Sequence, residues 1–153
     1  RAPVDINALI ERVLLLMGST LARQGVAVEF DALRSLPMVW CHGDEITQVL
    51  INLVMNAAQA MPHGGQLQFR TRFRPAPDEI TIEISDTGQG MSKELQAHIF
   101  EPFFTTKSDG TGMGLAVCQK IVQRHQGSLS VQSVLDAGTT FTIRLPVASS
   151  IDT

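Results

Sequence analysis

Three groups of residues in this chain have the types and spacing that chemistry requires. In the first group, Gln48, Asn52 and Asn56 recur every four residues and Gln59 follows three later, so a helix would carry them as one uncharged polar stripe. A buried carboxamide without a partner costs about 1–3 kcal/mol, so such a stripe either bonds backbone or lines a site for a polar ligand. The pattern alone leaves both interpretations open.

The second group occupies residues 86–90 and directly follows a segment in which isoleucine alternates with polar residues. Asp86 therefore lies at the end of a predicted strand, and Gly88 and Gly90 allow a sharp turn. A tight turn without any ligand is one explanation. The other is a binding site, because the carboxylate can accept a hydrogen bond from an exocyclic amine such as that of adenine, and glycine lets the backbone approach a flat ring.

The third group, Gly-Thr-Gly-Met-Gly at residues 110–114, precedes a predicted helix. A helix N-terminus presents unpaired N–H groups, so this segment is suited to binding phosphate oxygens. An ordinary helix-entry loop is the alternative, because G-x-G patterns are common. A Rossmann site is excluded, because the glycines follow a loop rather than a strand. The sequence also lacks the P-loop and protein-kinase motifs.

The elements that position these groups are predicted from hydrophobic periodicity. Helices are expected at 5–23, 44–61 and 113–125, with a short one after Ser92. Asp44 is expected to cap the second helix with its carboxylate. Strands are expected at 26–30, 38–41, 66–74, 79–85, 128–134 and 139–145. Because several strands are adjacent in sequence, the predicted fold is α+β, a two-layer α/β sandwich with a mixed sheet of about five strands under three helices.

Composition indicates an ordinary globular domain. The 153 residues are 44% hydrophobic and 18% charged, with a net charge of −3, which gives no reason to expect a nucleic-acid or membrane partner. Arg70, Arg72 and Arg74 alternate with apolar residues and are expected on the exposed face of a strand. The two cysteines lie far apart, and a reducing cytoplasm is the expected location. For the four histidines, a surface or capping role is expected rather than catalysis.

The order and spacing of the three groups resemble the ATP-binding domain of sensor histidine kinases, within the gyrase, chaperone, histidine kinase and mismatch-repair superfamily that shares the Bergerat fold. The resemblance covers roughly residues 44–145. Residues 52–57 look like the N box, 86–90 the first glycine box, 100–104 the F box and 110–115 the second glycine box. The sequence around Asn56 looks most like that of the nitrogen-regulatory and oxygen-sensing kinases.

The resemblance implies that the domain binds ATP with Mg²⁺. Asn56 would give a carboxamide oxygen to the metal, Asp86 would take the adenine amino group, and Thr139 or Thr140 would help to seat the adenine. Nucleotide contacts are also implied for Asn52, Gly88, Gly90, Thr106, Lys107, Gly110, Thr111, Gly112, Met113, Gly114 and Leu115. Residues 100–109 would belong to a lid over the nucleotide. Gln59 departs from the family, which often has a basic residue there.

Asn52 and Lys107 are the candidate catalytic residues. Lys107 is suited to contacting phosphate, although a solvated loop lysine is an equal alternative. The ATP-hydrolysing relatives carry a glutamate one turn before the magnesium-binding asparagine, where it activates water. Asn52 offers no such base. The resemblance therefore implies transfer of the γ-phosphoryl group to a histidine rather than hydrolysis.

No histidine in this chain has the sequence context of a phosphoacceptor. We therefore expect residues 1–25 to join the catalytic domain, 26–147, to an upstream dimerisation and histidine domain, with 148–153 as a tail. The expected partners are that phosphoacceptor domain and the receiver domain of a response regulator. Two alternatives remain: an ATPase domain of the gyrase, mismatch-repair or chaperone type, and a degenerate module that docks a partner without using nucleotide.

Overall fold

The structure is a computed structural model that describes residues 1–102, 104 and 114–147. The helices are α1 (Ile6–Arg23), α2 (Gly43–Ala60), α3 (Lys93–Gln96) and α4 (Gly114–Arg124). The strands are β1 (Ala2–Val4), β2 (Val26–Asp31), β3 (Val39–Cys41), β4 (Gly65–Arg74), β5 (Glu79–Asp86), β6 (Ser128–Val134) and β7 (Gly138–Pro146). Of these elements, β1 is the one that the sequence analysis does not predict.

The main sheet has five strands in the order β2-β4-β5-β7-β6. β2 runs parallel to β4, and the other neighbours are antiparallel, so the sheet is mixed as predicted. β3 does not join this sheet. It pairs with β1 in a separate two-stranded antiparallel sheet, with Val4 opposite Val39.

The helices cover one face of the main sheet. Side chains alternate along each strand, so that Phe69, Ile82 and Ile143 are fully buried under the helices. The other face is polar, and Arg72 pairs there with Asp31 at 2.6 Å, which confirms that the arginines of β4 lie on the exposed face. None of the helices in the described part of the chain has both the length and the apolar character needed to cross a membrane.

Side chains cap the first turns of α1 and α3. Asp5 caps α1 and Ser92 caps α3, each through a side-chain oxygen that accepts an N–H three residues later. The expectation that Asp44 caps α2 is wrong, because His42 occupies the N-cap and Asp44 lies inside the first turn. There its carboxylate still interacts favourably with the helix dipole. At the other end of α2, Gln24 donates from Nε2 to the carbonyl oxygens of Ala58, at 2.5 Å, and Met61, at 2.9 Å.

Candidate functional site

Helices α2 and α4 lie side by side and antiparallel. Three contacts fix the arrangement: His42 N–H donates to His125 Nε2 at 3.1 Å, Arg124 pairs with Glu45 at 3.0 Å, and Cys118 Sγ donates to the Val49 carbonyl at 3.9 Å. All three join the first half of α2 to the middle or end of α4. The N-terminus of α4, at Gly114, therefore lies alongside the second half of α2, at the level of Asn56.

The turn after β5 is held by the protein itself on two sides. On one side, Gln89 N–H donates to the carbonyl of Ala60, the last residue of α2, at 3.1 Å. A Cβ added to Gly88 would lie 2.5 Å from the same oxygen. On the other side, Gly90 has φ +68°, and a Cβ there would lie 2.0 Å from the carbonyl oxygen of Val134 in the β6–β7 hairpin. Both glycines are therefore required by contacts with neighbouring protein backbone.

One face of α2 runs between α4 and this turn. Asn52, Asn56 and Ala60 lie four residues apart on that face. Near Asn52, Cys118 of α4 donates to the Val49 carbonyl at 3.9 Å, and at the end of the helix the Ala60 carbonyl accepts from Gln89 N–H in the turn. Asn56 lies between these two contacts, so it faces the gap between the N-terminus of α4 and the turn.

The polar stripe of α2 is divided by its surroundings. Asn52 and Asn56 are half-buried, whereas Gln48 and Gln59 are exposed. The sequence could not separate these pairs, because all four side chains share one helical spacing. The exposed glutamines need no protein partner, which leaves the two asparagines as the members of the stripe that line the site.

Asp86, the last residue of β5, is 8% exposed. Its Oδ1 accepts hydrogen bonds from the backbone N–H of Gly88, at 2.9 Å, and of Thr139, at 3.3 Å. Burial raises the pKa of the carboxyl group, and these two hydrogen bonds oppose the rise. Among the described residues no hydrogen bond reaches Oδ2. The carboxylate is thus fixed by one oxygen and offers the other to a donor.

The structure separates the two threonines proposed for the adenine site. Thr139 is directly opposite Asp86 in the register and is 6% exposed, with its hydroxyl 2.8 Å from Ser133 Oγ. Thr140 is the next residue along β7, so its side chain points to the opposite face of the sheet, where it bonds Ser85 Oγ at 2.8 Å. Thr139 lies beside Asp86 and Thr140 does not.

At the N-terminus of α4, a Cβ added to Gly114 would meet no atom of the described residues within 4 Å, and the first turn carries no acidic residue. Leu115 is partly buried and packs against the core. The other residues predicted for this part of the site lie outside the described residues: Thr106, Lys107, Gly110, Thr111, Gly112 and Met113. Of the F box, Phe100 and Phe104 pack against the core.

Sequence reasoning missed two residues that support the site. Cys118 joins α4 to α2 through the Val49 carbonyl, and Ser133 Oγ accepts the backbone N–H of Met91 at 2.8 Å while bonding Thr139. Neither has a sequence signal that distinguishes it from ordinary helix or strand residues. His125 is buried and caps α4 through Nδ1, which lies 2.8 Å from the Ile121 carbonyl, in agreement with the capping role expected for a histidine.

Comparison with known proteins places this site in a family. The chain belongs to the family of histidine kinase-, DNA gyrase B- and HSP90-like ATPases, whose sequence model matches residues 41–149. It is 36% identical over 144 residues to the sensor histidine kinase ZraS of Salmonella typhimurium. The alignment covers 94% of this chain and 31% of ZraS, so the chain spans less than a third of that relative.

Solved structures agree with this assignment. The catalytic domain of the histidine kinase ThkA has a TM-score of 0.86 and 29% identity, covering 95% of this chain and 94% of that one. ThkA in complex with the response regulator protein TrrA has a TM-score of 0.82 at 26% identity, covering 96% and 42%. Full-length ShkA in complex with AMPPNP has a TM-score of 0.87 at 27% identity, covering 97% and 31%. The chain is therefore a nucleotide-binding catalytic domain of the histidine kinase type.

Proposed function

We propose that this domain binds Mg-ATP in the gap between α2, α4 and the turn after β5, and presents the γ-phosphoryl group to a histidine on another domain. The observation that carries the proposal is the antiparallel pairing of α2 and α4. It brings a helix N-terminus, which favours anions, beside Asn56, which offers a hard oxygen ligand. Asp86 borders the same gap.

Asp86 is suited to the adenine end of the nucleotide. In the ionised form its Oδ2 accepts a hydrogen bond from the exocyclic amine, while Oδ1 stays bound to the backbone of Gly88 and Thr139. A hydrogen bond to a charged acceptor in a buried place discriminates strongly between amines and carbonyls. Thr139, beside the carboxylate, completes this end of the site.

The phosphates would lie at the N-terminus of α4. The first N–H groups of the helix have no partner within the helix and bind anionic oxygens, with Leu115 and the segment 110–114 supplying backbone. Lys107 and Thr106 are candidate contacts from the neighbouring segment. Of the glycines in this segment, Gly114 is the one that the structure describes, and a Cβ there would meet no described residue within 4 Å.

Asn56 would hold Mg²⁺, which neutralises phosphate charge when bound. Magnesium prefers a few hard oxygen ligands and completes its shell with water and phosphate. In the part of the chain that the structure describes, no group of three or more His, Cys, Asp or Glu residues could hold a metal. A single carboxamide oxygen together with the phosphates fits the few hard oxygen ligands that magnesium prefers.

Asn52 favours transfer over hydrolysis. It lies one helical turn before Asn56, where a carboxylate could activate water as a general base, but a carboxamide cannot accept the proton. The γ-phosphoryl group is then available to an imidazole nucleophile. We place that histidine on the phosphoacceptor domain of the parent protein, joined through residues 1–25, and expect onward transfer to the receiver domain of a response regulator, as the ThkA complex with TrrA suggests. The cytoplasm is the expected compartment.

A phosphotransfer assay tests the proposal. The chain is incubated with γ-labelled Mg-ATP and the phosphoacceptor domain of its parent protein, and acid-labile phosphohistidine and free phosphate are measured together. For the wild type, we expect label on the acceptor histidine and little free phosphate. For Asn56→Ala, we expect neither labelled acceptor nor free phosphate. Phosphate release at enzyme-like rates without an acceptor would instead indicate an ATPase of the gyrase type. Absence of nucleotide binding would indicate a docking module.

A further inference from the structure

Ser133 of β6 connects three parts of the adenine end of the site through one hydroxyl group. Its Oγ accepts the backbone N–H of Met91, just after the turn, at 2.8 Å. The same hydroxyl donates to the Gly138 carbonyl at 3.0 Å and lies 2.8 Å from the hydroxyl of Thr139. Thr139 is opposite Asp86 in the register, so the two side chains lie on the same face of the sheet. Ser133 thus contacts the residue beside the carboxylate.

The number of protons fixes the direction of the bond between the two hydroxyl groups. A serine hydroxyl has a single proton and accepts through its lone pairs. The N–H of Met91 can only donate and the carbonyl of Gly138 can only accept, so the Ser133 proton is used by Gly138. The remaining contact then requires Thr139 to donate to Ser133 Oγ. Because its proton is used in this way, Thr139 can offer a ligand only lone pairs.

The backbone at Ser133 is held independently of its hydroxyl. Gln96 of α3 donates from Nε2 to the carbonyl oxygens of Met91 and Ser133, each at 3.0 Å. Ser133 also pairs with Thr139 in the antiparallel ladder between β6 and β7. The backbone should therefore keep its place when the hydroxyl is removed, and Ser133→Ala separates the hydroxyl contacts from strand pairing.

We propose that Ser133 is a positioning residue that sets the nucleobase specificity of the site: by taking the Thr139 proton, it makes Thr139 an acceptor beside the acceptor oxygen of Asp86. The proposal rests on the proposed function, because it concerns how the same site distinguishes one base from another. The exocyclic amine of adenine has two N–H groups and can satisfy two acceptors. A base with a carbonyl oxygen at that position places an acceptor against both, and a buried polar group without a partner is costly.

Calorimetry with two nucleotides tests the specificity. Inosine diphosphate carries a carbonyl oxygen where ADP carries the exocyclic amine, so the ratio of their affinities reports whether the site donates or accepts. In Ser133→Ala the Thr139 proton is released and can be donated to that carbonyl. We expect the preference for ADP to narrow by about two- to tenfold, whereas Ser133→Thr, which keeps the hydroxyl, retains the wild-type ratio. An unchanged ratio in Ser133→Ala, with ADP still bound, would overturn the proposal and leave the proposed function intact.

Two further variants separate specificity from general damage to the site. Ser130→Ala changes the same residue type at an exposed position of β6 and should leave the ratio unchanged. In a Thr139→Val background, Ser133→Ala should have no further effect on the ratio, because the hydroxyl that it orients is missing. Equal weakening of both nucleotides by Ser133→Ala, or a change of ratio that persists in Thr139→Val, would show that Ser133 acts through packing and that the positioning role is wrong.

Amide hydrogen exchange of the ligand-free domain tests the contacts without any nucleotide. The Met91 N–H should exchange about tenfold faster in Ser133→Ala than in the wild type or Ser133→Thr, because its acceptor is removed. Equal exchange in all three proteins would show that the hydroxyl contacts do not form, which would overturn the proposal. If the wild-type domain binds neither nucleotide, the proposed function fails and the specificity role fails with it, whereas the exchange rates still decide whether Ser133 holds Met91.

Discussion

Two glycine-containing regions border the site, and the structure gives them different physical reasons. In the turn after β5, Gly88 and Gly90 are required because neighbouring backbone lies 2.5 Å and 2.0 Å from where a Cβ would be. At the start of α4, a Cβ on Gly114 would meet none of the described residues within 4 Å. The turn is fixed by contacts with neighbouring backbone, whereas the described residues place no such contact at the helix end.

This difference shows that the same sequence signal has two meanings. A glycine in contact with the protein's own backbone stabilises the fold and positions Asp86 for its ligand. A glycine facing open space contributes little to folding. Its role is to let a ligand come close to the backbone there. Substitutions in the two regions should therefore separate stability from nucleotide affinity.

The largest effect is expected from Gly90→Ala. The variant combines a left-handed backbone, φ +68°, with a Cβ placed 2.0 Å from the Val134 oxygen, so the β6–β7 hairpin must shift. We expect the free energy of unfolding, measured in urea, to fall by about 2–5 kcal/mol. Gly18→Ala in α1 is the control, because a Cβ there meets nothing within 4 Å, and it should stabilise slightly. If the two variants were equally stable, the claim that backbone contacts fix the turn after β5 would be wrong.

Asp86→Asn should weaken nucleotide binding without unfolding the turn. The asparagine oxygen can still accept hydrogen bonds from the backbone N–H groups of Gly88 and Thr139. Its side-chain N–H₂ would face the adenine amine, and two donors cannot form a hydrogen bond. We expect nucleotide affinity to fall by about 10²-fold in calorimetry. Because burial raises the pKa of Asp86, the ionised carboxylate lowers stability at neutral pH, so the variant should unfold at the same temperature or a higher one. A matching loss of stability would show that Asp86 serves the fold.

Gly114→Ala should have the opposite profile to Gly90→Ala. The free energy of unfolding should stay the same or rise slightly, because alanine is a better helix former and the added Cβ meets no atom of the described residues within 4 Å. Affinity for Mg-AMPPNP should fall by about tenfold, since the methyl group occupies space beside the phosphates. Unchanged affinity would argue against phosphate binding at this helix end.

The smallest expected effect is a dependence of nucleotide affinity on pH. It should arise from Asp86 in the turn and not from the N-terminus of α4. Protonated Asp86 cannot accept from the adenine amine through a charged oxygen, so nucleotide affinity should decline as the pH falls. Because burial raises the pKa above the ordinary 3.8, the decline should begin at a higher pH than for an exposed aspartate. Gly114→Ala should show the same decline and Asp86→Asn none in this range. A profile identical in Asp86→Asn would assign the titration to another group.

Much of this fold could be predicted from the sequence, because its hydrophobic residues recur with clear helix and strand periods. The alternating strands and the capped helices near Asp5 and Ser92 were predicted almost to the residue, and so was the position of Asp86 at a strand end. Local patterns could not show that β3 pairs with β1, since a short strand carries no information about its partner. They also could not show that His42, rather than Asp44, occupies the N-cap of α2.

The site was predicted as a set of residues but not as an arrangement. Sequence spacing could not decide between Thr139 and Thr140, because only the register with β5 shows which of them faces Asp86. Nor could it reveal that Cys118 joins α4 to α2 at the Val49 carbonyl, since these residues are far apart in sequence and the contact depends on how two helices pack. Long-range contacts of this kind are determined by tertiary packing.

The central claim is that adenine binds at Asp86 while magnesium and the phosphates bind between Asn56 and the N-terminus of α4. Calorimetric titration of Mg-AMPPNP and of magnesium-free ADP into the wild type, Asp86→Asn and Asn56→Ala tests it most directly. The account predicts that Asp86→Asn loses both ligands and that Asn56→Ala loses only the gain in affinity due to magnesium. Equal losses of both ligands in Asn56→Ala, or undiminished binding in Asp86→Asn, would contradict it.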